Sequence, residues 1–405
     1  MITSCRTLNL ICLSAETDTL WMVSCVPEVS VVIPSMNEEE TIGICIEKVK
    51  KVFKEHNIDG EIIVADNSTD RTPEIARSLG ARVVTPDKRG YGYAYLYGLR
   101  YARGRYIVIG DADNTYDFLE MPKLLEPLFK GEADFVLGSR FKGRILNGAM
   151  PPLHKYIGNP VLTFLLNLFF KAGVSDAHSG FRAFTRDALE KMNLKCHGME
   201  FASEMIIEAA RRGLRIAEVP ITYYPRMGDS KLRSFSDGWR HLKFMLMQTP
   251  KYLYYIPGFI LFAVGLALVI LMSVTHVRIG GVSLGVHSMI AASFITIVGY
   301  QLIFLGLFSS AYGRRRGMIE YDRITRFITD KVPLERGILA GVFVFSVGLF
   351  YTIFILDRWI SSGLKELPML NQDIFAFTLM IIGLQTVFFS FFLSMISEEV
   401  RVGGV

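Results

Sequence analysis

Apolar positions follow two rhythms along this chain, and the rhythm changes near residue 250. Before that point, short apolar runs alternate with amphipathic stretches. Val29–Ile33 (VSVVI) is a buried-strand run closed by Pro34. Glu38–Phe53 places Ile42, Ile46, Val49 and Val52 on one face of a predicted helix. The same reading predicts strands at Glu61–Ala65, Ala81–Thr85, Tyr106–Ile109 and Asp134–Leu137. Between them it predicts helices at Arg71–Leu79, Tyr91–Ala102 and Phe118–Phe129. Strands alternating with helices imply an α/β fold with a mostly parallel sheet covered on both faces. Ligands of such sheets bind at the carboxyl ends of the strands. Three polar clusters, Pro34–Glu39, Asp66–Asp70 and Asp111–Thr115, all fall there.

Beyond residue 250 the pattern becomes continuous. Tyr254–Thr275, Val282–Ala311, Ile338–Leu356 and Ile374–Ser397 contain no Asp, Glu, Lys or Arg, and His287 is their one imidazole. Each is long enough to span a bilayer as a helix. The loop between the second and third holds Arg314, Arg315, Arg316, Arg323, Arg326, Lys331 and Arg336. Only Arg278 follows the first span, and Arg358 and Lys365 follow the third. Positive loops stay inside, which predicts a multi-pass cell-membrane protein with its large N-terminal half and its C-terminus in the cytoplasm. Tyr252, Tyr254 and Tyr255 suit the membrane interface ahead of the first span.

Composition agrees with this division. The 405 residues are 51% hydrophobic, with mean hydropathy +0.33. The net charge of +5 is spread without a long basic run, so nucleic acid is not an expected partner. Cys5, Cys12, Cys25, Cys45 and Cys196 are odd in number and lack C-x-x-C spacing, which predicts free thiols. Met1–Trp21 holds only Arg6 before a short apolar run and makes a poor signal peptide. Residues 1–27 are expected to be an extension, either disordered or produced by a mis-called start, with Met22 the alternative start. The domains expected are a catalytic unit over 28–250 and a transmembrane unit over 251–400.

Candidate chemistry centres on Gly110-Asp111-Ala112-Asp113-Asn114-Thr115, directly after an apolar strand. Two hard carboxylates one residue apart at a sheet rim suit Mg²⁺ or Mn²⁺ against a diphosphate. The plainer alternative is a pair of loop-capping aspartates. Gly90-x-Gly92 has the wrong spacing for a dinucleotide loop, and a P-loop is absent.

The motifs VVIPSMNEEETI (31–42), VADNSTDRT (64–72), KRGYGYAYLYGL (88–99), GDADNTYDF (110–118), GSRF (138–141), DAHSGFRAF (176–184) and EVPITY (218–223) occur in this order. Together they resemble family-2 glycosyltransferases of the GT-A fold, and more narrowly the dolichol-phosphate mannose or glucose synthases that carry their own membrane anchor. The resemblance covers about residues 29–250. It implies a GT-A domain followed by four transmembrane helices, and an inverting hexosyl transfer from a nucleotide-diphosphate sugar to dolichyl or polyprenyl phosphate. Around the nucleotide sugar it places Pro34, Asn37, Glu38, Glu39, Asp66, Ser68, Lys88, Gly90, Asp111 and Ala112. Asp66 would accept from the base, and Asp111 and Asp113 would meet the diphosphate through the metal. Thr115 stands where some relatives have a Gln ligand, and is shorter and weaker. Arg140 would face the acceptor phosphate, aided by His154 or Lys155.

An ionised phosphate acceptor needs no base, but it must be brought up to a second anion, and arginine geometry fits that task. Arg140 is expected just after the fifth strand, and Arg182 just after Ser179-Gly180-Phe181. Arg226, Lys231 and Arg233 lie in a segment without hydrophobic period, read as a loop that closes over the phosphates or as a solvated basic loop. Asp176 is expected to position Arg182 rather than act as a base, and His178 reads equally well as structural. Glu200 and Glu204 would share a helix face, as functional or as salt-bridging groups. Pro160–Phe170 and Trp239–Gln248 suggest interface helices, near 156–172 and 235–250, beside a bilayer that is itself a partner. Homo-oligomers stay open. One rival is a processive polysaccharide synthase, but Trp239-Arg240 lacks the Gln of a Q-x-x-R-W segment. The other is a transporter or flippase with a degenerate domain, against which the uncharged spans argue.

Overall fold

The computed structural model describes residues 26–227, 234–275, 278–279, 282–317, 319, 325–328, 333–364 and 370–397. Seven strands form one sheet: β1 (Val29–Ser35), β2 (Gly60–Asp66), β3 (Arg82–Val84), β4 (Tyr106–Ile109), β5 (Phe135–Ile145), β6 (Arg182–Thr185) and β7 (Ile216–Tyr223). Their order is β3-β2-β1-β4-β6-β5-β7. β1 pairs in parallel with β2 and β4, whereas β6 runs antiparallel to both β4 and β5. The sheet is therefore mostly parallel with one reversed strand. The chain winds outward from β1 in one direction and returns to β4 on its other side. That makes the β1–β4 boundary the topological switch point, where a crevice opens beyond the strand ends.

Helices α1 (Ile42–Glu55), α2 (Thr72–Ser78), α3 (Tyr91–Leu99) and α4 (Met121–Phe129) connect these strands. The periodicity predicted for α1 holds: Ile42, Cys45, Ile46, Val49 and Val52 are its buried residues. They join Val31, Ile33, Val64, Val108, Phe118 and Leu124 in one apolar core. Full burial of a side chain of this size contributes roughly 1.5–3 kcal/mol. Several predicted boundaries shift. The first helix starts at Ile42, not Glu38, because Glu38–Thr41 makes a turn whose carbonyl at Glu38 accepts from Thr41 and Ile42. The predicted helix at Phe118–Phe129 opens as a 3₁₀ turn, Phe118–Glu120, with the Asp117 side chain accepting from the Leu119 amide. β5 runs on to Ile145, so Arg140 lies within the strand and not after it. Pairing with β7 carries it past Gly138, with a register shift between Ser139 and Arg144.

The chain divides into two compact units. The first holds the residues up to Ala149, Ser179–Lys195 and Arg212–Asp229; the second holds Met150–His178, Cys196–Arg211 and the chain from Ser230. The second unit contains α5 (Asn159–Phe170), α7 (Phe201–Arg211), α8 (Ser234–Met247) and the apolar helices α9 (Ile256–Val274), α10 (Val286–Arg315), α11 (Leu334–Ser361) and α12 (Leu370–Ser397). The short α6 (Arg186–Lys191) belongs to the first.

Among the described residues, four helices are long and apolar enough to cross a membrane, as the four hydrophobic stretches predict. Helices α11 and α12 outrun their apolar segments: α11 carries Glu335 and Arg336 near one end and Asp357 and Arg358 near the other. At about 1.5 Å per residue such a helix exceeds the ~30 Å hydrocarbon core, so its charged ends reach the headgroups. The second span begins at Val286 rather than Val282, because Val282–Ser283 pairs antiparallel with Arg278–Ile279 as strands β9 and β8. Close backbone approach holds the spans together. A Cβ on Gly299 of α10 would strike the Phe262 backbone of α9, and one on Gly341 of α11 would lie 2.7 Å from the Gly383 carbonyl of α12. Hydroxyl pairs add polar ties: Ser293 to Thr378 at 2.7 Å and Tyr300 to Thr386 at 2.6 Å.

Candidate active site

The three polar clusters predicted at strand ends do converge at the switch point. The turns after β1 and β2 are sewn together. The Asn37 amide donates to Ser68 Oγ at 2.7 Å, and the Thr69 amide donates to Asn37 Oδ1 at 2.9 Å. Asn37 takes a left-handed backbone, φ 55°, to make this turn. Asp66 is buried and accepts from the Ser35 and Ser68 hydroxyls at 2.6 and 2.5 Å and from the Ser68 amide at 3.1 Å. Glu38 and Glu39 are tied to the other turn through Thr72 and Asp70. Pro34 lies within β1. Lys88 is exposed, with its ammonium 5.8 Å from the Tyr93 ring centre. Gly90, at φ 154°, starts α3 in a conformation that side-chain-bearing residues rarely adopt.

Asp111 and Asp113 follow β4 and are held by different partners. Asp111 Oδ1 accepts from the hydroxyls of Tyr91 and Tyr95, both at 3.0 Å. Burial first, and then the neighbouring Asp113 charge, push the Asp111 carboxyl up to about 6. Asp113 Oδ1 accepts from the Thr115 hydroxyl at 2.6 Å and its amide at 3.1 Å. Asp113 Oδ2 lies 3.2 Å from Arg226 Nη1, and Arg226 Nη2 donates to Glu38 Oε1 at 2.5 Å. The loop is braced from α1, where Lys48 donates to Asn114 Oδ1 at 2.9 Å and pairs with Asp117 at 3.0 Å. Ala112 is buried, and its carbonyl accepts from the Cys45 thiol at 3.5 Å. Burial pushes that thiol up to about 12.

The donor set fits a divalent ion. No hydrogen bond reaches Asp111 Oδ2 among the described residues, and Gly180 leaves space beside it. A Cβ on Gly180 would lie 2.7 Å from that oxygen. Thr115 spends its hydroxyl proton on Asp113, so it buttresses one carboxylate of the pair.

Around this pair the first unit gathers aromatic rings and guanidinium groups. Tyr116 accepts from the Gly180 amide at 2.7 Å and stacks on Phe181, with ring centres 5.8 Å apart. Tyr223 lies 5.3 Å from Tyr116, and Arg140 sits over the Tyr223 ring at 5.0 Å. Arg140 is 6% exposed. Arg182, in β6, is the largest fully buried side chain, with Nε donating to the Ser179 carbonyl at 2.8 Å. Arg226 thus joins the carboxylate pair directly, while Arg140 is linked to the loop through Tyr223 and Tyr116. Lys231 and Arg233 lie outside the described residues.

In the second unit, Asp176 is fully buried. His178 Nε2 and His241 Nδ1 lie 3.4 and 2.8 Å from Ser203 Oγ. Glu200 precedes α7, and both Glu200 and Glu204 accept backbone amides, from Gly198 and Cys196. His154 and Lys155 begin a π-helical turn, His154–Gly158, that runs into α5. From there Leu153, Ile157, Val161, Phe164 and Leu168 form an exposed apolar stripe at helical spacing, with Phe164 64% exposed. The opposite face buries Thr163 and Leu166.

Residues 30–192 match Glycosyl transferase family 2, and residues 307–397 match the Glycosyltransferase family 2 C-terminal transmembrane region. The chain belongs to glycosyltransferase family 2, with a GT-A-like sheet followed by membrane helices. It is 49% identical to the low-salt glycan biosynthesis hexosyltransferase Agl6 of Haloferax volcanii, over 92% of this chain and 90% of that protein. It is 35% identical to a dolichyl-phosphate hexose transferase of the same organism, over 52% of this chain and 89% of that protein. Glucosyl-3-phosphoglycerate synthase from Mycobacterium tuberculosis, solved with Mn²⁺, UDP and glucosyl-3-phosphoglycerate, is 26% identical over 55% of this chain and 79% of that one, with a TM-score of 0.45.

Tyr91 and Tyr95 are among the site residues that the motif reading missed, with Lys48, Tyr116 and Tyr223. The i, i+4 spacing of Tyr91 and Tyr95 within KRGYGYAYLYGL was the available signal.

Proposed function

We propose that this chain is a metal-dependent, inverting hexosyltransferase acting at the cytoplasmic face of a membrane. It moves a hexose from a nucleotide-diphosphate sugar, UDP-glucose or GDP-mannose, to dolichyl or polyprenyl phosphate. The observation that carries this reading is the Asp111–Asp113 pair at the switch point, with one carboxylate oxygen left open beside Gly180. Membership of the family and similarity to named hexosyltransferases support the reaction class.

Mg²⁺ or Mn²⁺ held by Asp111 and Asp113 would neutralise the charge that develops on the departing nucleotide diphosphate. The chain's own residues do the rest. The sewn turns after β1 and β2, with Asp66 between them, would line the nucleotide. Arg140, Arg182 and Arg226 offset the repulsion between an anionic acceptor and an anionic donor. The acceptor phosphate oxygen is ionised near neutral pH and attacks the anomeric carbon directly, so Asp176 is assigned no role as a base. Single direct displacement inverts the anomeric centre. The exposed apolar stripe beginning at Leu153 suits a helix lying in the lipid interface. The arginines at the end of α10 favour a cytoplasmic placement for that end and hence for the catalytic unit.

Membranes carrying the full chain should convert one of radiolabelled UDP-glucose, GDP-mannose or UDP-GlcNAc, with dolichyl phosphate, into an acid-labile glycolipid. EDTA should abolish the product, and Mg²⁺ or Mn²⁺ should restore it. No glycolipid from any donor with either metal would sink the reading.

A further inference from the structure

Asp111 is gripped by two tyrosines to which the proposed chemistry gives no part. Tyr91 and Tyr95 stand four residues apart on α3 and so share a face. Both hydroxyls donate to the same atom, Asp111 Oδ1, while Oδ2 faces Gly180. The two rings meet edge to face, with centres 5.1 Å apart. Packing alone would be served by phenylalanine, which fills the same space without burying two hydroxyls. The neighbouring carboxylate is treated otherwise, since Asp113 is paired with the Arg226 cation. Phenols orient a carboxylate without cancelling its charge.

We propose that Tyr91 and Tyr95 are positioning residues that occupy one oxygen of Asp111 and fix the other as a single-oxygen ligand for the divalent ion. This rests on the metal-dependent reading above. Groups that orient a metal ligand from behind typically change metal affinity about 10–100-fold when removed. Removing both phenol hydroxyls should therefore weaken metal binding while leaving the helix packed.

The test uses full-length protein in detergent, as wild type, Tyr91→Phe, Tyr95→Phe and the double variant. Mn²⁺ binding is followed by the loss of the free-ion electron paramagnetic resonance signal, with UDP or GDP present. The double variant should bind Mn²⁺ at least about 10-fold more weakly. Its nucleotide affinity in EDTA and its unfolding temperature in EDTA should match wild type, which separates positioning from a structural role. Tyr97→Phe, on another face of α3, should leave Mn²⁺ affinity unchanged. Wild-type Mn²⁺ affinity in the double variant would overturn the inference alone. A wild type that takes up no Mn²⁺ with either nucleotide would overturn the metal-dependent reading, and the inference with it.

Discussion

Replacing Asp111 with Asn should abolish turnover and yet stabilise the metal-free protein. The Asp111 carboxyl is carried from 3.8 to about 6, chiefly by burial. That corresponds to about 3 kcal/mol against the ionised form. The sign follows from linkage. A carboxyl raised on folding binds its proton more tightly in the folded state, so ionisation costs stability. The cost is small below the unfolded value, grows as pH rises, and is complete above about pH 6. Asparagine keeps an oxygen for Tyr91 and Tyr95 but places an unpaired amide nitrogen near Gly180, which returns part of the gain. The net expectation is about 1–2 kcal/mol, or about 3–6 °C for a unit of this size. Thermal melts of Asp111→Asn and wild type in EDTA, read by near-ultraviolet circular dichroism, test this at about pH 7.5 and about pH 5. The ionisation cost falls by about half, roughly 1.5 kcal/mol, at the lower pH while the amide penalty stays, so the gap should nearly close there. A variant melting at or below wild type at both values, or an equal gap at both, would refute the electrostatic account of the site.

Gly180→Ala places a methyl 2.7 Å from Asp111 Oδ2 and 3.2 Å from both Tyr116 and the Tyr91 hydroxyl. Metal-supported turnover should fall about 100-fold, with a stability loss of about 1–3 kcal/mol, measurable by glycolipid formation and thermal melting. Arg226→Ala removes the cation shared by Glu38 and Asp113. Its turnover should fall at least about tenfold in the same assay, and unchanged turnover would remove Arg226 from the site. Gly299→Val forces α9 and α10 apart at the Phe262 backbone. It should cost about 2 kcal/mol or more in detergent melts, while nucleotide binding by the first unit survives at temperatures below unfolding.

Much of the fold was legible because burial writes itself into sequence as period. Val29–Ile33, Glu61–Ala65 and Tyr106–Ile109 are apolar runs between turn residues, and each sits in a buried strand. Strands β6 and β7 were not legible. Arg182–Thr185 opens on a buried arginine, and Ile216–Tyr223 contains Pro220, which an edge strand tolerates. The placement of Arg140 failed for a similar reason. GSRF has the polarity of a loop, and only pairing with β7 keeps it in the sheet. Tyr91, Tyr93, Tyr95 and Tyr97 alternate in sequence as strand residues do, yet they form a helix. The helix sends Tyr91 and Tyr95 to Asp111 and Tyr93 to Asp87. The pairing of Arg226 with Glu38 spans 188 positions and leaves no local trace.

Charge counting explains why two adjacent carboxylates receive such different partners. Among the described residues, Glu38, Asp111 and Asp113, when ionised, bring three negative charges to one hydrogen-bonded neighbourhood, and Arg226 brings one positive charge to it. Had Asp111 also been given an arginine, the set would carry one excess negative charge, too little to balance a divalent ion. Two neutral phenols orient it instead, and the excess stays at two, the charge of Mg²⁺ or Mn²⁺. With such an ion in place the carboxylate set is neutral, and a nucleotide diphosphate would enter as the new uncompensated anion. A second anion, the acceptor phosphate, then has to approach it. Arg140 lies over the Tyr223 ring, and Arg182 donates to the Ser179 carbonyl. On the proposed reaction, guanidinium groups of this kind are what the approach of one phosphate anion to another would require.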